Sequence, residues 1–154
     1  MTIWFDMDGT IADLYGVKDW LPKLRNHDAT PYKDAIPLIK LCTFARMLHK
    51  LQDKGYYIGI ISWLSKDKSE SYAKQVTIAK KEWLKKHLPS VCWDEIHIIP
   101  YGTPKSTCAR DEDILFDDEI NNRQEWTKNC GLAYDEKNIL KILKNYWQMV
   151  EDVV

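Results

Sequence analysis

The stretch Thr2-Ile3-Trp4-Phe5-Asp6-Met7-Asp8-Gly9-Thr10 decides how this chain reads. Its first four residues are apolar or β-favouring and predict a strand, which ends abruptly in D-x-D-G-T. Residues i and i+2 of an extended segment point to the same side, so Asp6 and Asp8 can face one ligand. Gly9 permits the sharp exit from the strand. In such a pair, one aspartate can attack phosphorus while its partner protonates the leaving oxygen.

Working outward, short apolar runs alternate with longer amphipathic ones. A helix is expected over Ile39 to Lys54, where Leu41, Phe44, Leu48 and Leu51 form one stripe and Gly55 stands at the C-terminal cap. A second strand, Tyr56 to Ile61, ends in Ser62. A long helix from Lys68 to His87 is closed by Pro89. Ile96 to Ile99 reads as a third strand, and Ile114 to Phe116 as a fourth, ending in Asp117-Asp118. A helix over Asn121 to Asn129 is broken by Gly131, Leu132 to Tyr134 forms a fifth strand, and the last helix runs from Glu136 to Asp152. That helix carries Leu140, Leu143, Trp147 and Val150 on one side.

This order predicts an α/β fold, a Rossmann-like three-layer sandwich around a parallel sheet. With 154 residues and no repeat or long linker, residues 1–154 read as one domain. Pro22, Pro31 and Pro37 interrupt the irregular stretch 11–37, which is expected to form a small cap-like insert.

Bulk properties exclude several classes. The formal net charge of −1 offers no whole-chain attraction for nucleic acid. Lys80, Lys81, Lys85 and Lys86 read as the solvated face of a helix, and Asp111-Glu112-Asp113 as solvated loop. Cys42, Cys92, Cys108 and Cys130 lack zinc spacing and read as reduced thiols. No apolar run approaches the roughly 20 residues that span a bilayer. Without a leader sequence, a soluble cytoplasmic protein is expected.

Ligands of open parallel α/β sheets bind at the carboxyl ends of the strands, and the reactive side chains fall there. Asp6 and Asp8 follow the first strand, Ser62 the second and Asp117-Asp118 the fourth, with Lys105 in the loop after the third. Two unit charges about 4 Å apart cost roughly 4 kcal/mol at an effective dielectric near 20, so gathered carboxylates must protonate or share a cation. Hard oxygen donors beside a phosphate favour Mg²⁺ over zinc. Lys105 would add a second positive charge.

D-M-D-G-T after an N-terminal strand, then I-I-S, a lone lysine and I-L-F-D-D resemble the haloacid dehalogenase superfamily from Thr2 to about Tyr134. The resemblance implies Asp6 as the nucleophile that forms an aspartyl-phosphate. Asp8 would be general acid and then base, with its carbonyl on Mg²⁺. Ser62 and Lys105 would contact the substrate phosphate, Lys105 also steadying Asp6. Asp117 and Asp118 would complete the metal shell, either one being the direct ligand. Asp8 argues against a dehalogenase, which has no alkoxide to protonate. The missing membrane spans and D-K-T-G-T argue against an ion pump.

The expected function is therefore Mg²⁺-dependent phosphomonoester hydrolysis. D-M-D-G-T-I-A-D, the short insert and A-K-K-E-W-L also resemble small deoxyribonucleotidase-like members, many encoded by phages. That resemblance points to a nucleotide 5′-phosphate, then to a polynucleotide end, then to a phosphosugar. The short insert predicts a comparatively open site, suited to a large substrate or to one enclosed by a second copy of the chain. Tyr15, Trp20 and Trp63 are candidates to border it, each with packing as the plainer role. Asn122 could orient a metal-bound water or cap a helix. Ser62 could merely cap a helix, and Lys105 could be a solvated loop residue. A non-catalytic module binding Mg²⁺ or phosphate is the rival reading, disfavoured by the intact acid–nucleophile pair. A phosphoacceptor receiver domain is excluded, because Ser62 stands where its aspartate would be.

Overall fold

A computed structural model describes residues 1–151, with side chains as far as Met149. Val150 as a side chain and Asp152, both assigned above to the last helix, lie outside the described residues. The central sheet is parallel, in the order β5 (Glu95–Ile99), β4 (Tyr57–Trp63), β1 (Thr2–Phe5), β6 (Ile114–Phe116) and β7 (Ala133–Tyr134). β1 thus occupies the centre, pairing with β4 on one side and β6 on the other. This is the expected Rossmann-like α/β sandwich.

All four β1 residues are buried, because helices cover both faces. Ile3 and Phe5 join Phe44, Leu48 and Leu51 of α3 (Leu41–Asp53) and Leu143 of α6 (Ile139–Glu151). Trp4 points the other way, into a cluster with Ile61, Leu115 and Trp126 of α5 (Ile120–Asn129). At Gly59 of β4 the Trp4 ring lies where any side chain would be. The last helix starts later than expected, because residues Glu136–Asn138 form a 3-10 turn capped by Asp135.

Asp113 corrects the reading of Asp111-Glu112-Asp113 as solvated loop. It is buried, and its carboxylate accepts from the Thr2 amide at 2.7 Å and from Trp4 Nε1 at 2.9 Å. It ties β1 to the entry of β6.

The interval 11–37 contains β2 (Ala12–Asp13), α1 (Trp20–Arg25), α2 (Thr30–Asp34) and β3 (Ile36–Pro37), with β2 and β3 paired antiparallel. It is seated on α4 (Glu70–His87). Leu14 and Tyr32 pack on Tyr72, Val76 and Ala79, and Trp83 Nε1 donates to the Ala35 carbonyl at 2.7 Å. Among the described residues, no helix is long and apolar enough to cross a membrane.

Candidate active site

Carboxylate oxygens of Asp6, Asp117 and Asp118 lie within 4.8 Å of one another at the carboxyl ends of β1 and β6. The parallel pairing makes this so. Phe5 is in register with Phe116, and each strand delivers its aspartate one residue later. Gly9 turns the chain away with φ +78, and a side chain there would run into the Asp118 carboxylate. Thr10, to which the sequence motif assigns no role, places its hydroxyl 3.3 Å from Asp6 Oδ2 and 3.0 Å from Asp118 Oδ1. Its only sequence signal was its place after the glycine.

Lys105 is 2 % exposed, which rules out a solvated loop lysine. Its Nζ lies 2.9 Å from Asp6 Oδ1 and 2.6 Å from Asp117 Oδ2. Burial alone would lower its pKa, but Asp6 and Asp117 outweigh burial and push it up to about 12. Asn122 is no helix cap; Glu119 holds that position, and the Asn122 amide donates to Asp117 Oδ2 at 3.2 Å. Arg123 donates to the carbonyls of both Asp117 and Asp118 at 2.9 Å, fixing the turn between them.

Asp8 does not join the triad through its carboxylate. Its Oδ2 accepts from Lys80 Nζ at 2.7 Å, and the same ammonium donates to Ser62 Oγ at 2.6 Å and to the Trp63 carbonyl at 2.7 Å. Lys80 is fully buried, so it departs from the solvated face expected of its helix. A signal existed. Tyr72, Val76, Ala79, Trp83 and Leu84 make the buried stripe of α4, and Lys80 falls four residues after Val76 within that stripe. A lysine there needs buried partners, since an unpaired buried charge costs several kcal/mol.

Ser62 is the second departure. β4 continues through Trp63, and α4 is capped by Ser69, so Ser62 caps no helix. Alternation puts Ser62 on the face away from Ile61, toward Lys80, whose ammonium its hydroxyl oxygen accepts. It is fully buried and lines no part of the adjoining cleft.

Burial, and then the charges of Asp6 and Asp117, push Asp118 up to about 7; burial and Asp6 push Asp117 up to about 6. Burial also raises Asp8, against the pull of Lys80 and with a push from Asp6. Fully ionised, the four carboxylates would carry two more negative charges than the two buried ammonium groups balance. One divalent cation would balance them, and hard carboxylate donors suit Mg²⁺. The residues fit that metal.

A cleft of about 860 Å³ opens over Asp6, Asp8 and Lys105. The insert walls one side of it with Leu14, Tyr15, Trp20 and Tyr32. Tyr15 meets Trp20 edge-on at 5.0 Å, and Trp63 tilts against Tyr101 at 4.8 Å. Tyr15, Trp20 and Trp63 therefore both pack and line the cleft.

No protein-family model matches the chain, and no curated protein matches its sequence. Among solved structures, the chain is similar to D,D-heptose 1,7-bisphosphate phosphatase from Burkholderia thailandensis. The two share 11 % identity and a TM-score of 0.50, over 84 % of this chain and 74 % of that one. The HAD domain of the effector protein Lem4 from Legionella pneumophila aligns over 87 % of this chain and 83 % of its own, with 16 % identity and a TM-score of 0.39. The first likeness is one of fold alone, and agrees with the sheet order and layers described above.

Proposed function

We propose that the chain is a Mg²⁺-dependent phosphomonoester hydrolase that works through an aspartyl-phosphate on Asp6. The observation that carries this reading is Lys105, bridging Asp6 and Asp117 beside three gathered carboxylates. An anionic nucleophile approaches a phosphate dianion only when positive charge surrounds both.

Asp6 attacks phosphorus, the bond from phosphorus to the leaving oxygen breaks, and Asp8 gives that oxygen its proton. Asp8 then takes a proton from the water that attacks the phosphorylated Asp6, releasing phosphate and restoring the Asp6 carboxylate and the protonated Asp8. Lys105 pairs with a phosphoryl oxygen throughout. Asp6, Asp118 and the Asp8 carbonyl would hold Mg²⁺, which neutralises phosphoryl charge and screens the nucleophile. Asp117 spends Oδ1 on the Glu119 amide and Oδ2 on Lys105 and Asn122, whereas among the described residues Asp118 Oδ2 has no such partner. Asp118 is therefore the better direct ligand, with Asp117 acting through water.

The aromatic walls favour a leaving group with a flat ring, so the preferred substrate is a (deoxy)nucleotide monophosphate. Polynucleotide ends and phosphosugars are the competing classes. The test is release of phosphate from p-nitrophenyl phosphate and from a panel of these substrates. Activity should require Mg²⁺, stop with EDTA and vanish in Asp6→Asn with the fold intact. Full activity in Asp6→Asn would remove the nucleophile from the account.

A further inference from the structure

Lys80 is a buried cation that the phosphatase scheme above does not use. Its side chain is 1 % exposed, and its three N–H donors go to Asp8 Oδ2, Ser62 Oγ and the Trp63 carbonyl. Tyr32 of the insert closes over it, with the ring centre 4.9 Å from Nζ. Lys105 serves the other flank of the site, holding Asp6 and Asp117. The two ammonium groups thus hold Asp8 on one flank and Asp6 with Asp117 on the other, and Asp118 is held by the Thr10 hydroxyl.

We infer that Lys80 is a positioning residue for the acid–base step, holding Asp8 so that one carboxylate oxygen is fixed and the other faces the leaving group, with Ser62 as its anchor rather than as a phosphate ligand. This rests on the phosphatase reading. Of the two Asp8 oxygens, Oδ2 is engaged by Lys80, whereas among the described residues no hydrogen bond holds Oδ1. An oxygen that accepts from an ammonium does not also offer a proton along that line, so the transferable proton is carried by Oδ1. Asp8 lines the cleft, which is where the leaving oxygen must lie. In the first step that proton passes from Oδ1 to the departing oxygen and leaves with it; in the second a proton from the attacking water replaces it.

The anchor follows from burial. Ser62 has no exposed surface, and its hydroxyl oxygen is occupied from the α4 side. A rigid β4 strand fixes that oxygen and the neighbouring Trp63 carbonyl, so Lys80 approaches Asp8 from one direction only. Freed from Lys80, the Asp8 side chain could turn between rotamers, and a proton donor displaced by about 1 Å loses much of its effect.

The test compares Lys80→Met with the unaltered chain on p-nitrophenyl phosphate, whose leaving group needs little protonation, and on an alkyl phosphate, whose leaving group needs it. Lys80→Met should lower kcat on the alkyl phosphate at least tenfold more than on p-nitrophenyl phosphate, with KM little changed. In an Asp8→Asn background it should add little further loss, because both changes remove the same step. Equal loss on the two substrates, or full additivity with Asp8→Asn, would overturn the inference while leaving the phosphatase reading intact. An unaltered chain without Mg²⁺-dependent turnover would remove both together. Should Lys80→Met fail to fold, Ser62→Ala takes its place as a smaller change. As an anchor, Ser62 should show the same leaving-group bias, whereas a phosphate ligand would lose activity equally on both substrates and contradict the assignment.

Discussion

Lys105 Nζ stands 2.9 Å from Asp6 Oδ1, a contact between two side chains 99 residues apart in sequence, both removed from water. Asp117 completes the bridge at 2.6 Å. Removing one partner of a buried pair leaves an uncompensated charge and costs about 3–5 kcal/mol. Lys105→Met should therefore destabilise the metal-free protein by that amount in urea denaturation, and lower turnover by roughly 100-fold or more. A change below about 1 kcal/mol would mean that solvent reaches the pair more freely than the fold allows.

The acidic cluster makes stability depend on pH in a definite direction. Burial, with Asp6 and Asp117 nearby, holds Asp118 up at about 7, and Asp117 is raised to about 6. Each carboxyl keeps its proton to higher pH when folded than when unfolded. Their contribution is fully present below the ordinary carboxylate range and is lost as pH rises through the raised values. In EDTA the melting temperature should fall between about pH 5 and pH 8. Mg²⁺ bound at the cluster would replace those protons, so the stabilisation it gives should be larger at the higher pH. An equal or larger Mg²⁺ effect at the lower pH would contradict the cluster as the binding site.

Gly9 is required twice, by φ +78 and by the Asp118 carboxylate lying where a side chain would be. Gly9→Ala should cost about 1–2 kcal/mol from left-handed strain alone. It should also displace Asp118, raising the Mg²⁺ concentration needed for half-maximal activity. A variant with unchanged Mg²⁺ dependence would remove Asp118 from the metal shell.

The aromatic walls make a substrate prediction. Tyr101 is half-exposed, with Trp63 4.8 Å away and the Lys66 ammonium 5.2 Å from its ring. Stacking of a base on an aromatic ring is worth about 1–3 kcal/mol. Tyr101→Ala should thus raise KM for a nucleoside monophosphate by roughly tenfold, and leave KM for a small alkyl phosphate little changed. Steady-state kinetics on the two substrates separates the cases, and a parallel change in both would argue against a stacked base.

Much of this arrangement was legible in the sequence. The unbroken apolar run Thr2–Phe5 and the punctuation after it located the central strand. The order of short apolar and long amphipathic segments located the rest of the sheet. What stayed hidden depended on three-dimensional partners. Lys80 looked like its neighbours Lys81 and Lys85, and only its place in the buried stripe separates it from them. Asp113 looked like a loop acid until the Thr2 amide and the Trp4 indole came within reach. Ser62 follows the expected motif, yet β4 runs one residue beyond it, so strand alternation turns its hydroxyl toward Lys80, a partner visible only in three dimensions. The insert's two-residue strands are too short for periodicity to register, so its closeness to the cleft emerged only from packing on α4.

In the proposed cycle Asp6 carries the phosphoryl group while the surrounding carboxylates hold a divalent ion. A crystal structure of the protein with Mg²⁺ and beryllium fluoride tests it directly. The expected structure has beryllium bonded to an Asp6 oxygen, Lys105 touching a fluoride, and Mg²⁺ held by Asp6, Asp118 and the Asp8 carbonyl. Beryllium fluoride bonded to any other carboxylate, or Mg²⁺ seated away from Asp6 and Asp118, would contradict it.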